Sequence, residues 1–398
     1  MNGEAPLIYI VTGEPSGDAL GGRLMAALSE RTQGAVRFAG IGGEHMAEQG
    51  IRSLVPLHEL AIMGVAEVLP RARLILRRVA ETVADIERRQ PAALVTIDSS
   101  GFTWRVAQRL RRHGVRLPLI HYVAPMVWAW RGGRARRMAR WYDHLLALLP
   151  FEPPYFTRVG LACTYIGHPV VESGADRGDG PGFRRRHGIA PGSTVLAVLP
   201  GSRRGEVGRL LPPFAGAVAT LAERHSGLRI VVPTTETVAE IVGAALKGWA
   251  APALVLRGQQ EKYDAFAASN AALAASGTVA LELAMARVPS VIAYRVSPLT
   301  QAVVRRMVRV QHAHLLNLIL GRAVVPELIQ QDCTPERLAA AVELLLSDRG
   351  ARSAQIEACE DALHRLGLGG VSPGLRAADA VLAVIAAHDE GRVRSTAA

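Results

Sequence analysis

The stretch AALAASGTVALELAMARVPSVIAYRV, Ala271 to Val296, decides the fold. Ala271 to Ala274 are small and apolar and read as a buried strand. Ser276-Gly277-Thr278 turns the chain into VALELAMA, a run of strong helix formers, and PSVIAYRV is again an apolar strand. Strand, turn, helix and strand in immediate succession form the unit from which parallel sheets are built.

The same rhythm extends outward. TVLAVLPGS, LRIVVPTT and ALVLRGQQ read as strands with helices between them. In the first half LIYIVTG, VRFAGIGG, PAALVTIDSSG and LPLIHYVAP are strands, and SGDALGGRLMAALSE, ILRRVAETVADIERR and RVAQRLRRHG are helices. At residues 172–193 the pattern breaks into ESGADRGDGPGFRRRHGIAPGS, whose Gly, Arg and Pro content marks an inter-domain linker with a short helical patch. The expected class is α/β, with two Rossmann-like parallel-sheet domains, 1–172 and 173–370, facing each other across a cleft and binding ligands at their C-terminal strand edges. Residues 371–398 hold a last helix, SPGLRAADAVLAVIAAH, and a tail, GRVRSTAA, expected to fray.

Composition narrows the function. A chain of 398 residues exceeds one small core, and 49% hydrophobic with 20% charged residues excludes a disordered chain. Net charge is +11, and Lys247 and Lys262 are the only lysines among 46 basic residues. Such a balance suits an anionic partner: phosphate, nucleic acid or acidic lipid. Cys163, Cys333 and Cys359 are odd in number and widely spaced, which argues against a disulfide framework or a zinc site and for a reducing compartment. MNGEAPLIYIVTG lacks a basic leader, and no run approaches the roughly 18 to 20 apolar residues of a membrane span. The expected location is the cytoplasm, with any membrane contact peripheral.

Four turns carry candidate chemistry. The Ser276-Gly277-Thr278 turn offers helix N-terminal amides to a pyrophosphate, and Glu282, one turn into that helix, suits a ribose diol. The plainer alternative makes Ser276 an N-cap and Glu282 a solvated residue. In LPGSRRGEV, Gly201 and Ser202 allow close backbone approach and Arg203 supplies a fixed cation. No Asp-x-Asp holds a divalent metal beside a diphosphate, so Arg203 and the helix dipole must meet the leaving group's charge. In TGEPSGDALGG a strand meets a helix at Glu14, Ser16 and Asp18; Ser16 and Asp18 are candidate substrate-binding residues, with a helix cap as the plainer reading for either, while Glu14 points to the cleft. TIDSSGF ends a strand at Asp98, either a turn former or, with partial burial, a general base. His121 also ends a strand and is the second candidate base.

Two stretches ask for an amphipathic partner. HYVAPMVWAWRGGRARRMARW, His121 to Trp141, gathers three of the five tryptophans beside Arg131, Arg134, Arg136, Arg137 and Arg140. PLHELAIMGVAEVLPRARLILRRV mixes Met63, Val65, Val68, Leu69, Leu74 and Leu76 with Arg71, Arg73, Arg77 and Arg78, either as core or as an interfacial segment over 61–78.

GEPSGD, ELAIMGVAEVLP, HYVAPMVWAWR, LPFEPPYF, YIGHP, LPGSR, ASGTVALE and NLIL, in this order and over nearly the whole chain, resemble the lipid-A-disaccharide synthase family. The resemblance implies an inverting, metal-independent glycosyltransferase of the two-Rossmann GT-B fold, without cofactor. It would transfer 2,3-diacylglucosamine from UDP to the 6-hydroxyl of 2,3-diacylglucosamine 1-phosphate at the cytoplasmic face of the inner membrane, forming a β(1→6) bond and releasing UDP. By motif, Asp98 matches the family's essential carboxylate and Glu14 its acidic loop residue. Arg203, Gly277, Thr278 and Glu282 match the donor motifs, and Asn317 matches the asparagine of Asn-Leu. Trp128, Trp130 and Arg131 would border the acceptor's acyl chains, sugar and phosphate, and a homodimer exchanging C-terminal segments is implied. The chain departs from the family pattern at Ser100-Gly101, where Pro-Asp is common. Two other readings stay open: another UDP-sugar enzyme of the same fold, such as an epimerase, and a non-catalytic polyanion binder. The ordered motifs leave nucleic acid without a role.

Overall fold

The computed structural model describes residues 5–60, 65–128, 133–297 and 312–396. The chain forms two compact units, Met1–Pro169 with Gly369–Ala398, and Val170–Leu368.

The first unit contains β1 (Leu7–Thr12), α1 (Pro15–Arg31), β2 (Arg37–Ile41), α2 (Glu44–Glu48), α3 (Val65–Arg89), β3 (Ala93–Ile97) and α4 (Thr103–Arg112). It continues through β4 (Leu119–Tyr122), α5 (Gly133–Met138), β5 (His144–Ala147), α6 (Pro153–Thr157) and β6 (Ala162–Tyr165). All six strands are parallel, in the order β2-β1-β3-β4-β5-β6. Both faces of the sheet are covered, so its strands are apolar throughout rather than alternating. Ile8 and Ile10 join one core with Leu24 and Met25 of α1, while Tyr9 and Val11 join the other with Val83 and Leu110.

The second unit contains α7 (Gly180–Arg186), β7 (Val195–Leu199), α8 (Arg204–Arg224), β8 (Arg229–Pro233), α9 (Glu236–Leu246), β9 (Ala253–Leu256) and α10 (Gln259–Ala268). After these come β10 (Ala271–Ala275), α11 (Val279–Met285), β11 (Ser290–Tyr294), α12 (Leu315–Leu320), β12 (Glu327–Ile329), α13 (Pro335–Ser347) and α14 (Arg349–Arg365). Its sheet is again all parallel, ordered β12-β11-β10-β7-β8-β9. The last helix, α15 (Pro373–Thr396), returns to the first unit and packs along α1.

Three features differ from the sequence reading. Short β5, β6 and β12 were hidden inside longer apolar or turn-like runs. The presumed linker is ordered structure of the second unit: Phe183 is fully buried, and Asp179 N–H and Arg186 both reach Asp264 on α10. Its glycines permit close packing, since a Cβ on Gly178 would stand 2.1 Å from the Tyr263 carbonyl oxygen. The tail GRVRSTAA continues α15 as far as Thr396.

Candidate active site

Strand order places the chemistry. In the first sheet, successive connections run to opposite sides between β1 and β3, which opens a crevice at their C-terminal ends. Glu14 follows β1 and Asp98 follows β3, and both border a cavity of about 290 Å³. The two turns interlock: a Cβ on Gly13 would lie 2.2 Å from Ser99 Oγ, so only glycine fits there. Asp98 and Ser99 both have φ of +46°, a left-handed conformation that non-glycine residues rarely adopt and that recurs at functional sites. Thr103 Oγ1 holds the strained pair, donating to the carbonyls of Asp98 at 2.7 Å and Ser99 at 3.0 Å.

Burial pushes the Asp98 carboxyl above the ordinary carboxylate range, with the Ser99 amide pulling partly the other way. Leu60, Ile75, Leu76 and Phe102 add apolar lining to the same cavity, and Arg105 adds a cation. Ser100, at the point of departure from the family pattern, accepts from Arg134 Nη2 at 3.2 Å, and that guanidinium lies 5.0 Å from the Trp104 ring centroid. One arginine of the Trp-Arg stretch therefore braces the Asp98 loop.

The second sheet repeats the arrangement between β7 and β10. Gly201 and Ser202 follow β7, Ser276-Gly277-Thr278 follow β10, and all border a cavity of about 490 Å³ together with Glu282. Glu282 is engaged rather than simply solvated. It accepts from Lys262 Nζ at 2.9 and 2.8 Å and from the Tyr263 hydroxyl at 3.1 Å. Glu206 folds back over the Gly201 turn, where the Ser202 and Arg203 amides hold its carboxylate, and burial pushes its pKa up. This is half of a capping box for α8.

Other expected site residues sit elsewhere. His121 is 1% exposed, with Nδ1 2.7 Å from Thr96 Oγ1 and its ring between Trp104 and Tyr142. Burial lowers its pKa to about 3, so it is a neutral core residue and not the second base. Asp18 does not face the cavity: its carboxylate accepts from the amides of Gly43, His45 and Met46, capping α2 instead of α1. Ser16 is exposed and makes no side-chain cap to α1, whose N-cap residue is Glu14. Asn317 is 1% exposed and its amide is fully used, donating to Val325 O and Glu327 Oε1 and accepting from Val324 and Val325 N–H. It ties a loop together and has no hydrogen-bonding capacity left for a substrate. Arg203 lies at the N-cap of α8 with its side chain exposed, beside the cavity wall rather than in it.

Trp128 donates from Nε1 to Glu152 at 3.3 Å and stands edge-on to Phe151. Glu152 is 3% exposed, and burial pushes its carboxyl up to about 7 against the pull of the Leu149 amide and the Trp128 indole. Trp130, Arg131 and residues 61–64 lie outside the described residues, as do the side chains of 65–71.

Sequence reasoning missed Lys262, Tyr263, Arg257, Glu206, Arg105 and Glu152. Lys262 alone left a signal, as one of two lysines in an arginine-rich chain.

Comparisons with known proteins follow the same outline. The model of the lipid-A-disaccharide synthetase family matches residues 8–370. The lipid-A-disaccharide synthase of Rhodospirillum centenum is 60% identical over 379 residues, covering 95% of this chain and 94% of that protein. That of Paramagnetospirillum magneticum is 56% identical over 388 residues, covering 97% and 99%. Among solved structures, a putative UDP-N-acetylglucosamine 2-epimerase from Listeria monocytogenes superposes with TM-score 0.65 at 14% identity, covering 97% of each chain. Acinetobacter baumannii MurG superposes with TM-score 0.55 at 14% identity, covering 96% and 99%. These two likenesses establish the GT-B architecture; the family model and the close relatives establish that the chain belongs to the lipid-A-disaccharide synthase family of glycosyltransferases.

Proposed function

We propose that the chain transfers 2,3-diacylglucosamine from UDP to the 6-hydroxyl of 2,3-diacylglucosamine 1-phosphate, forming the β(1→6) disaccharide 1-phosphate and UDP. The observation that carries this reading is Asp98: a strained, partly buried carboxylate in a cavity also lined by the apolar side chains of Leu60, Ile75, Leu76 and Phe102. Such a cavity suits an acceptor with a reactive hydroxyl and acyl chains. The acceptor oxygen attacks the donor's anomeric carbon as its proton passes to Asp98, and the bond from that carbon to the diphosphate oxygen breaks with inversion. The second unit holds the UDP moiety, with Glu282 facing ribose, Ser276–Thr278 offering amides to the diphosphate, and Arg203 as a nearby cation. Trp128, Trp130 and Arg131 belong to the acceptor side in this reading.

The reaction as proposed uses no metal and no cofactor. Among the described residues no helix is long and apolar enough to cross a membrane. Leu76, 56% exposed on α3 beside exposed Arg77, supports peripheral contact with an anionic membrane at the cytoplasmic face.

The test is transfer from UDP-2,3-diacylglucosamine to 2,3-diacylglucosamine 1-phosphate in detergent with EDTA. Wild type should form product, and Asp98→Asn should lose about 10²- to 10⁴-fold in turnover while still binding UDP. Full activity in the variant removes Asp98 as base, and activity abolished by EDTA in wild type removes the metal-free route.

A further inference from the structure

Glu282 lies in the wall of the larger cavity, and two donors from one helix make three contacts with its carboxylate. Lys262 and Tyr263 are consecutive residues of α10, and Glu282 sits in α11. The Lys262 ammonium is almost equidistant from the two carboxylate oxygens, at 2.9 and 2.8 Å, and so occupies the edge that a pair of vicinal hydroxyls would otherwise share. Tyr263 takes a further position on Oε1 at 3.1 Å. Burial, and then the charge of Glu282, push the Tyr263 phenol up to about 12, so it remains a donor at neutral pH. Lys262 Nζ also lies 4.8 Å from the Tyr263 ring centroid, which fixes both groups against each other. An ionised carboxylate has roughly four acceptor positions. The three contacts on the page leave about one, on Oε2.

We propose that Lys262 and Tyr263 position Glu282 to accept from a single ribose hydroxyl of the bound nucleotide, which makes Lys262 a positioning residue for nucleotide selection. The inference rests on the reading of this cavity as the UDP site. It explains why a carboxylate stands in a cavity meant for an anionic diphosphate: the ammonium offsets its charge while leaving one acceptor outward. It also distinguishes this ion pair from Arg257–Glu236 at the same cavity, where the side chains are 60% and 74% exposed and loosely held. The side chains of Lys262 and Glu282 are 24% and 21% exposed and lock each other in place.

The experiment is calorimetric titration of the full chain with UDP, 2′-deoxy-UDP and 3′-deoxy-UDP, alongside the thermal midpoint of each variant. Wild type should prefer UDP by about tenfold or more over one deoxy analogue only, because a site built around one hydroxyl rejects the ligand lacking it. In Lys262→Met that preference should shrink to within about threefold, since Glu282 is then free to rotate. Lys262→Arg, which restores the cation, should lie nearer to wild type than Lys262→Met does. Tyr263→Phe keeps the ion pair, should show an intermediate preference, and carries the test if Lys262→Met does not fold. A preference unchanged in Lys262→Met, with all three nucleotides weakened equally, would mean a plain helix staple and overturns the proposal. Equal preference against both deoxy analogues, or against neither, in wild type overturns it as well. Failure of wild type to bind UDP overturns the nucleotide reading itself.

Discussion

Asp98 works against the stability of its own fold. Burial raises its pKa, so the folded state favours the protonated acid. A raised carboxyl contributes stability that is fully present below its unfolded pKa and lost as pH rises through the folded value. At pH 8 the ionised group therefore carries its full desolvation cost, and the left-handed backbone adds strain. Asp98→Asn should unfold at a higher temperature than wild type at pH 8, with the gap narrowing at pH 4, by calorimetric scans. Equal midpoints at pH 8 would show that the carboxylate is not strained by its setting. With Asp98 as the proposed base, the acid limb of kcat/KM in wild type should likewise lie above the ordinary aspartate range, because that carboxyl must lose its proton to act. No limb should arise from His121, whose ring is neutral at every pH at which the enzyme would be assayed.

At the scale of elements, what the sequence disclosed and what it hid have a common cause. The βαβ rhythm was legible because buried parallel strands are continuously apolar and their helices begin at small-residue turns. Asp98, Glu14 and the Ser276–Thr278 turn were legible because they follow long, unmistakable strands. Asp18 misled because a cap was sought along the helix that contains it, while its carboxylate crosses 25 residues to the Gly43 amide and the start of α2. Asn317 misled similarly, as a motif asparagine on α12 whose four hydrogen bonds all run to Val324, Val325 and Glu327, in the loop before β12 and in β12 itself. Lys262 was missed because the residue it serves is 20 positions away. Asp18→Ala should thus behave as a stability variant: loss of the three amide contacts of this buried carboxylate should cost about 2 kcal/mol in urea unfolding. UDP affinity should stay within about twofold, since the change lies in the first unit and the proposed nucleotide cavity is lined by the second. A large loss of UDP affinity with unchanged stability would return Asp18 to the substrate-binding set.

At the scale of the whole chain, the return of α15 makes the first unit discontinuous in sequence. Ala377, Ala378 and Val381 are fully buried and Ile385 nearly so, packed in one core with Leu24, Met25 and Leu28 of α1. Arg376 donates to the Tyr165 carbonyl at 2.7 Å, and Asp379 pairs with Arg31. Apolar burial of that extent is worth on the order of 5 kcal/mol as an upper bound, a large share of a domain's net stability. The second unit keeps its own core, built on Leu210, Phe214 and Val342, without any residue of α15. A chain ending at Leu368 should therefore lose protection selectively. Hydrogen exchange should accelerate in peptides from α1, β1 and β3 and stay unchanged in those from β7, α8 and β10. Val381→Ala should give the same pattern more mildly, at a cost of about 1–2 kcal/mol, and guards against a truncated chain that aggregates. Acceleration spread evenly over both sets of strands would mean that the chain unfolds as one cooperative block, and that the last helix stabilises more than the sheet it covers.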